Sequence, residues 1–153
     1  MLSKPENGWT VFSLGDFQAE VSYLVDIPFD WLISCKNALK HNIPLSFFLE
    51  LEGETCLLTS YGYDTHIIIN RRDDGYQLKT VRNVNFMDVS DMLLKDIRLY
   101  FDDWVTWYDF EQTEADFARR RAALKALIEE TETYLAACAK RSEKPLQNTP
   151  ENA

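Results

Sequence analysis

Residues 45–81, with the sequence LSFFLELEGETCLLTSYGYDTHIIINRRDDGYQLKTV, decide the fold. Apolar and polar side chains alternate along this stretch, and the alternation is interrupted at residues 52–53, 62 and 74–75, each of which includes a glycine. A period of two is typical of strands with one buried face, and Gly beside an acidic or polar residue is typical of a hairpin turn. Parallel strands need connections of about a dozen residues or more, which these links do not provide. The stretch therefore predicts four consecutive antiparallel strands.

The sequence before these strands predicts a hairpin and a helix. Residues 9–24, WTVFSLGDFQAEVSYL, place strand-forming residues on both sides of a Gly-Asp turn signal. Apolar residues at helical spacing follow, and Pro28 suits the first turn of a helix. A helix is predicted from Pro28 to His41.

Two further helices are predicted after the strands. Residues 87–108 have an apolar stripe with helical periodicity, with Asp88 as the predicted N-cap. Residues 113–141 begin with Thr-Glu-Ala-Asp, which is typical of a capping box, and are rich in strong helix formers. The predicted order is ββαββββαα, an α+β domain in which helices pack against an antiparallel sheet of about six strands.

A single domain is predicted over residues 1–141, because a chain of 153 residues suits one hydrophobic core. Residues 142–153, SEKPLQNTPENA, have no apolar periodicity and are predicted to form a disordered C-terminal tail. The sequence has no secretory signal and no apolar run near the roughly 20 residues that span a bilayer. Its three cysteines are far apart and argue against a disulfide framework. These features predict a cytoplasmic protein that does not enter a membrane.

The sequence carries no motif for catalysis or cofactor binding. The five glycines form no phosphate-binding pattern, and G-x-S-x-G is absent. A protein that is not an enzyme, with no cofactor and no metal, is predicted. The alternative is a small-molecule-binding or enzymatic α+β domain that uses a cleft between sheet and helices near Cys56, Tyr61 and His66. A turn at Gly62 would bring Cys56 and His66 within reach on adjacent strands.

Negative charge is concentrated in residues 100–117, YFDDWVTWYDFEQTEADF, which we call the acidic segment. It contains six acids, seven aromatic residues and no Lys or Arg, in a chain of formal net charge −9. A field of this sign repels nucleic acid and anionic lipid and attracts basic surfaces. The segment therefore predicts a basic protein partner, with no nucleic-acid binding.

The aromatic residues of the acidic segment divide into two groups. Phe101, Trp104 and Tyr108 fall on the helix stripe that is predicted to face the core. Trp107 falls off this stripe and is predicted to be half-buried among carboxylates, and Phe110 follows the predicted helix end. Half-buried rings surrounded by charge are typical of interface anchors. The predicted partner-binding residues are Asp102, Asp103, Trp107, Asp109, Phe110, Glu111 and Glu114. A homodimer that buries the aromatic residues against itself is left open.

Three stretches together resemble a known group of proteins: residues 8–32, GWTVFSLGDFQAEVSYLVDIPFDWL, residues 47–58, FFLELEGETCLL, and residues 96–107, DIRLYFDDWVTW. They resemble small bacterial immunity proteins of polymorphic-toxin and contact-dependent inhibition systems, over about residues 8–107. The resemblance implies a protein that binds and blocks a cognate toxin, commonly a basic nuclease. Such families have no catalytic motif, so the resemblance assigns no role to any single residue.

Overall fold

The computed structural model describes residues 1–71, 75–107 and 112–142. The strands are β1 (Trp9–Leu14), β2 (Phe17–Ser22), β3 (Leu45–Glu50), β4 (Thr55–Tyr61), β5 (Asp64–Arg71) and β6 (Gly75–Val81). The helices are α1 (Ile27–His41), α2 (Phe86–Leu99), α3 (Phe101–Val105) and α4 (Glu114–Ser142). Every pair of neighbouring strands is antiparallel, so the α+β class and the six strands are confirmed for the described residues. The predicted disordered tail lies almost wholly in residues 143–153, outside the described residues.

The six strands form two sheets, and the prediction of one sheet is wrong. β1 pairs with β2 and forms single bridges with Leu2 and Glu6 of the N-terminal segment, while the second sheet has the order β3-β4-β5-β6. A side chain of α1 lies where the division occurs, because Trp31 Nε1 donates a hydrogen bond of 3.0 Å to the carbonyl oxygen of Phe48 in β3. At this carbonyl the donor is the indole of α1 and not a backbone N–H of the hairpin.

Trp31 also joins three elements in the core. Its ring stacks on Phe47 of β3, with centroids 4.3 Å apart and planes 18° apart. The ring of Phe12, from β1, meets Trp31 edge-on at 5.7 Å. Offset-stacked and edge-to-face pairs are the favoured geometries of aromatic rings. The hairpin, α1 and the inner face of the four-stranded sheet thus share one hydrophobic core.

The helices form a layer over that core. α1 packs against β3, α2 and α4. None of the described helices combines the length and the apolar character that crossing a membrane requires. The residues that α4 buries are Leu124, Leu127, Ile128, Thr131 and Cys138.

The helix predicted over residues 87–108 is two helices, and its predicted N-cap is wrong. Tyr100 has φ −113° and ψ 35°, outside the helical region, and separates α2 from α3. Asn85 is the N-cap of α2: its side-chain oxygen accepts from the backbone N–H groups of Met87 and Asp88, at 2.8 and 3.2 Å. The Asp88 carboxylate accepts in return from the Asn85 backbone N–H, at 2.9 Å. Asp88 is therefore the third helical residue of a capping box, in which both residues satisfy free donors of the helix end.

The capping box predicted at residues 113–116 is confirmed at the start of α4. The Thr113 hydroxyl and backbone N–H both donate to the Asp116 carboxylate, at 2.6 and 2.9 Å. Asp116 also pairs with Arg119. An i,i+4 pair on α4 would instead join Asp116 to Arg120, but Arg120 pairs with Asp26 at the α1 N-terminus.

We expect the Asp116 carboxyl to have a pKa far below that of an ordinary aspartate. The Thr113 hydroxyl, the Thr113 backbone N–H and then Arg119 lower the pKa of Asp116 to about 2. An unfolded Asp has a pKa near 3.9, so ionised Asp116 favours the folded state above about pH 4, and this contribution is lost as pH falls toward 2. The carboxyl carbon shift in an NMR titration should have its midpoint at about 2. Thr113→Ala should move the midpoint upward, and a midpoint near 4 in the wild type would contradict the capping geometry.

Candidate functional site

The structure describes part of the acidic segment, residues 100–107 and 112–117. Four of the predicted partner-binding residues lie there: Asp102, Asp103, Trp107 and Glu114. The other three, Asp109, Phe110 and Glu111, lie outside the described residues. Partner binding by any of the seven stays a prediction.

Basic residues from elsewhere in the chain pair with most described acids of the segment. Asp102 pairs with Arg121 of α4. The Asp103 carboxylate lies 3.5 Å from the Lys4 ammonium group. Glu114 is exposed at the start of α4. The negative field of the segment is therefore weaker than a count of its own residues indicates, since the positive charges of Lys4 and Arg121 lie beside its carboxylates.

The structure buries Trp107, and its predicted half-burial is wrong. Its side chain is 6% exposed, and its ring packs against that of Trp104 with centroids 4.9 Å apart. α3 ends at Val105, so Trp107 follows the helix and folds back on Trp104 instead of projecting from the helix surface. Trp104 is fully buried, as predicted. Neither indole N–H has a hydrogen-bond partner in the part of the chain that the structure describes.

A cleft of about 340 Å³ opens beside Trp107, and we call it the Glu6–Asp103 cleft. It lies between the N-terminal turn, the end of β2 and α3. Its lining residues are Pro5, Glu6, Asn7, Gly8, Tyr23, Asp103, Thr106 and Trp107. Two residues that the sequence singled out, Asp103 and Trp107, thus line one concave site.

A tight turn at Asn7-Gly8 positions one wall of the cleft. Both residues have positive φ, 51° and 82°, which Asn and Gly tolerate better than other residues. Reciprocal backbone hydrogen bonds of 2.9 Å between Glu6 and Trp9 close the turn. A Cβ atom on Gly8 would lie 2.7 Å from Tyr23 Cδ1, so the missing side chain allows the Tyr23 ring to pack against the turn. Glu6 and Tyr23 were not predicted from the sequence, although the Asn-Gly pair is a turn signal.

The chemistry of the cleft suits a cation. Glu6 and Asp103 supply carboxylates, and Tyr23 and Trp107 supply aromatic rings, which attract an ammonium or guanidinium group. Lys4 shows that Asp103 accepts an ammonium group. The Thr106 hydroxyl contacts the backbone carbonyls of residues 102 and 103, each at 3.3 Å, so it is held by the chain itself. The described lining contains no Cys, His or Ser to act as a nucleophile or base.

The predicted pair Cys56 and His66 does not come together. In the strand register, Cys56 is opposite Ile69, whereas His66 is opposite Thr59. Cys56 faces the core, and burial, followed by the charge of Glu54, raises its pKa to about 11. His66 lies on the other face of the sheet, where its Nδ1 is 3.0 Å from the Thr80 hydroxyl. Tyr61 is exposed at the end of β4.

The chain matches no protein-family model, no curated protein and no solved structure. Among the described residues, no three His, Cys, Asp or Glu side chains are grouped so as to hold a metal ion. The molecule is therefore classified by its own features, as an α+β domain of two antiparallel sheets with an acidic, aromatic-lined cleft.

Proposed function

We propose that the protein is a non-enzymatic binding domain that neutralises a basic toxin, in the manner of a bacterial immunity protein. The Glu6–Asp103 cleft, which joins two carboxylates with two aromatic rings, carries the proposal. A Lys or Arg side chain of the toxin would enter the cleft with its charge near the carboxylates. Its apolar stem would lie against the rings.

Charge and packing contribute to such binding in different ways. The net charge of −9 speeds the approach of a basic partner, and this steering weakens as salt is added. Affinity comes from a few side chains that are well packed and desolvated. The ion pair of Lys4 and Asp103 is partly exposed, and such pairs contribute little to stability. A basic side chain of the partner can therefore replace Lys4 beside Asp103. A basic side chain of the partner would then be the anchor, with the acidic segment around it.

The proposed role also places the protein in the cytoplasm, because a nuclease toxin acts where its nucleic acid is. An acidic protein covers the basic surface with which such a toxin binds nucleic acid. The neutralised toxin would be excluded from its substrate without any chemical step by the domain.

Reversing the charge of the cleft should abolish capture of the partner. We expect wild-type protein, used as bait in an extract of the source cells, to retain a basic protein that the double variant Glu6→Lys/Asp103→Lys does not retain. With that protein purified, the variant should associate at least about tenfold more slowly at low salt, because the local field changes sign. Mass spectrometry identifies the retained protein, and stopped-flow mixing measures the rate.

A control with the same change of net charge is Glu52→Lys/Glu129→Lys. Both of its acids are exposed and remote from the lining of the cleft. This variant should retain the partner and lose much less association rate. Equal slowing in both variants would show that only net charge matters for association. If the retained protein is acidic, or if no protein is retained, the proposed toxin binding is wrong.

A further inference from the structure

One face of the four-stranded sheet carries an exposed apolar row. The register places Phe48, Leu57, Ile68 and Leu78 opposite one another across β3, β4, β5 and β6. On β3, β4 and β5 the neighbouring residues along the strand face the core, as Phe47, Leu58 and Ile67 show. At the two ends of the row, Phe48 is 59% exposed and Leu78 is 65% exposed. An apolar row therefore runs to the last strand of the sheet and ends there in solvent.

The two edges of this sheet differ. At the β3 edge, the Phe48 carbonyl accepts a hydrogen bond from the Trp31 indole of α1. Among the described residues, the backbone hydrogen bonds of β6 are made with β5. The strand Gly75–Val81 contains no proline and no acid. β6 thus presents an open row of backbone donors and acceptors, which is a template for another strand.

The lysine of β6 does not protect this edge from pairing. A lysine on an edge strand normally hinders pairing with another chain. The Lys79 ammonium group lies 3.6 Å from the Asp16 carboxylate in the hairpin turn and 6.0 Å from the centre of the Phe17 ring at the start of β2. Lys79 is therefore held on the inner face of the sheet, away from the outer face that carries Leu78.

We infer that β6 pairs antiparallel with β6 of a second copy of the chain, about a twofold axis at Leu78. In this register Leu78 meets Leu78 of the second copy, and the two apolar rows join into one across eight strands. Tyr76 meets Thr80 on the same face, and Gln77 meets Lys79 on the other. No like charges are opposed, so the strand is complementary to itself.

Charge favours a second copy at this edge over contact between copies elsewhere. The chain has a formal net charge of −9, which opposes the approach of two copies over most of the surface. The strand Gly75–Val81 carries a single charge, the positive one of Lys79. A strand of seven residues spans roughly 24 Å, and pairing along it buries less than the roughly 1,600 Å² of a standard interface. The dimer is accordingly weak and reversible, with a dissociation constant in the micromolar range or above.

Sedimentation velocity between about 1 µM and 1 mM tests this dimer. We expect the weight-average sedimentation coefficient of the wild type to rise with concentration. Leu78→Lys places two ammonium groups opposite each other and should weaken association at least about tenfold. Leu99→Lys is the matched control, because Leu99 is 69% exposed but lies on α2, away from the sheet. This control should associate like the wild type.

Phe48→Lys separates edge pairing from stacking of two sheet faces. Phe48 shares the apolar row but lies on the opposite edge strand, so edge pairing predicts unchanged association. Leu78→Cys, treated with a mild oxidant, should form a disulfide dimer across the twofold axis, and Phe48→Cys should not. The native cysteines Cys35, Cys56 and Cys138 are all buried and do not compete.

Three results would overturn the inference. The first is a wild type that stays monomeric to 1 mM and a Leu78→Cys variant that does not cross-link. The second is association that Phe48→Lys abolishes and Leu78→Lys spares, which would mean stacked faces. The third is association that neither variant changes, which would place the contact on another surface, such as the acidic segment.

Discussion

Trp31→Ala should lower the free energy of unfolding by about 4 kcal/mol, which is the usual loss for a large aromatic residue removed from a core. Trp31 is fully buried, stacks on Phe47 at 4.3 Å and meets Phe12 edge-on. The substitution opens a cavity where the hairpin, α1 and the larger sheet meet. It also leaves the Phe48 carbonyl without its indole donor. Since small domains are stable by roughly 5–15 kcal/mol, this loss is a large fraction of the total stability.

Trp31→Phe separates the hydrogen bond from the packing. It keeps an aromatic ring beside Phe47 and removes the donor to Phe48, so a smaller loss of about 1–2 kcal/mol is expected. Trp9→Ala is the control, because Trp9 is partly exposed and outside the core cluster. Urea unfolding followed by circular dichroism measures all three variants. Equal losses for Trp31→Ala and Trp9→Ala would mean that the aromatic cluster does not hold the two sheets together.

Arg120→Ala should lower the free energy of unfolding by about 3 kcal/mol, because it leaves a partly buried carboxylate without its partner. The Arg120 guanidinium donates to both Asp26 carboxylate oxygens, at 2.7 and 2.6 Å, and to the Val105 carbonyl at 3.0 Å. It also lies over the Phe29 ring, 4.6 Å from the centroid, and the Arg120 side chain is only 13% exposed. One side chain thus joins the starts of α1 and α4 to the end of α3.

The neighbouring Arg119 provides a matched control for Arg120. Its side chain is 78% exposed and pairs with Asp116 in solvent, so Arg119→Ala should change the free energy of unfolding by less than about 1 kcal/mol. Arg120→Lys retains the charge but not the paired donors of the guanidinium group, and an intermediate loss is expected. Thermal and urea unfolding of the three variants decide the question. Similar losses for Arg119→Ala and Arg120→Ala would show that the contact of Arg120 with Asp26 is no stronger than a surface pair.

The strands were predictable from sequence because their signals are local. Alternation between Leu45 and Val81 reports which face of each strand is buried, and the turn glycines limit each strand. The division into two sheets was not predictable, because no periodicity reveals that the Trp31 indole packs against β3 and donates to the Phe48 carbonyl. The burial of Trp107 was also not predictable, because it depends on where α3 ends. A helix continuing past Val105 would have placed this ring on its surface, and the earlier end of α3 reversed its burial.

The candidate site was half predictable. Asp103 stands out in sequence because its segment is rich in acids, but its neighbours Lys4 and Glu6 come from the other end of the chain. Charge counted along the sequence cannot show that Arg121 pairs with Asp102 and that Lys4 pairs with Asp103 in the folded chain. Sequence patterns therefore located the charge but not the cleft, which depends on how the N-terminal turn meets α3.

Gly8 sets the shape of the cleft independently of its charge. A methyl group at this position would lie 2.7 Å from the Tyr23 ring, and the ring would have to move. Glu6 and Asp103 would remain, so the shape of the cleft would change while its carboxylates did not. The φ of 82° at residue 8 also strains any residue with a side chain, so the new shape would cost folding free energy. The contour of the cleft and the stability of the N-terminal turn thus depend on the same missing side chain.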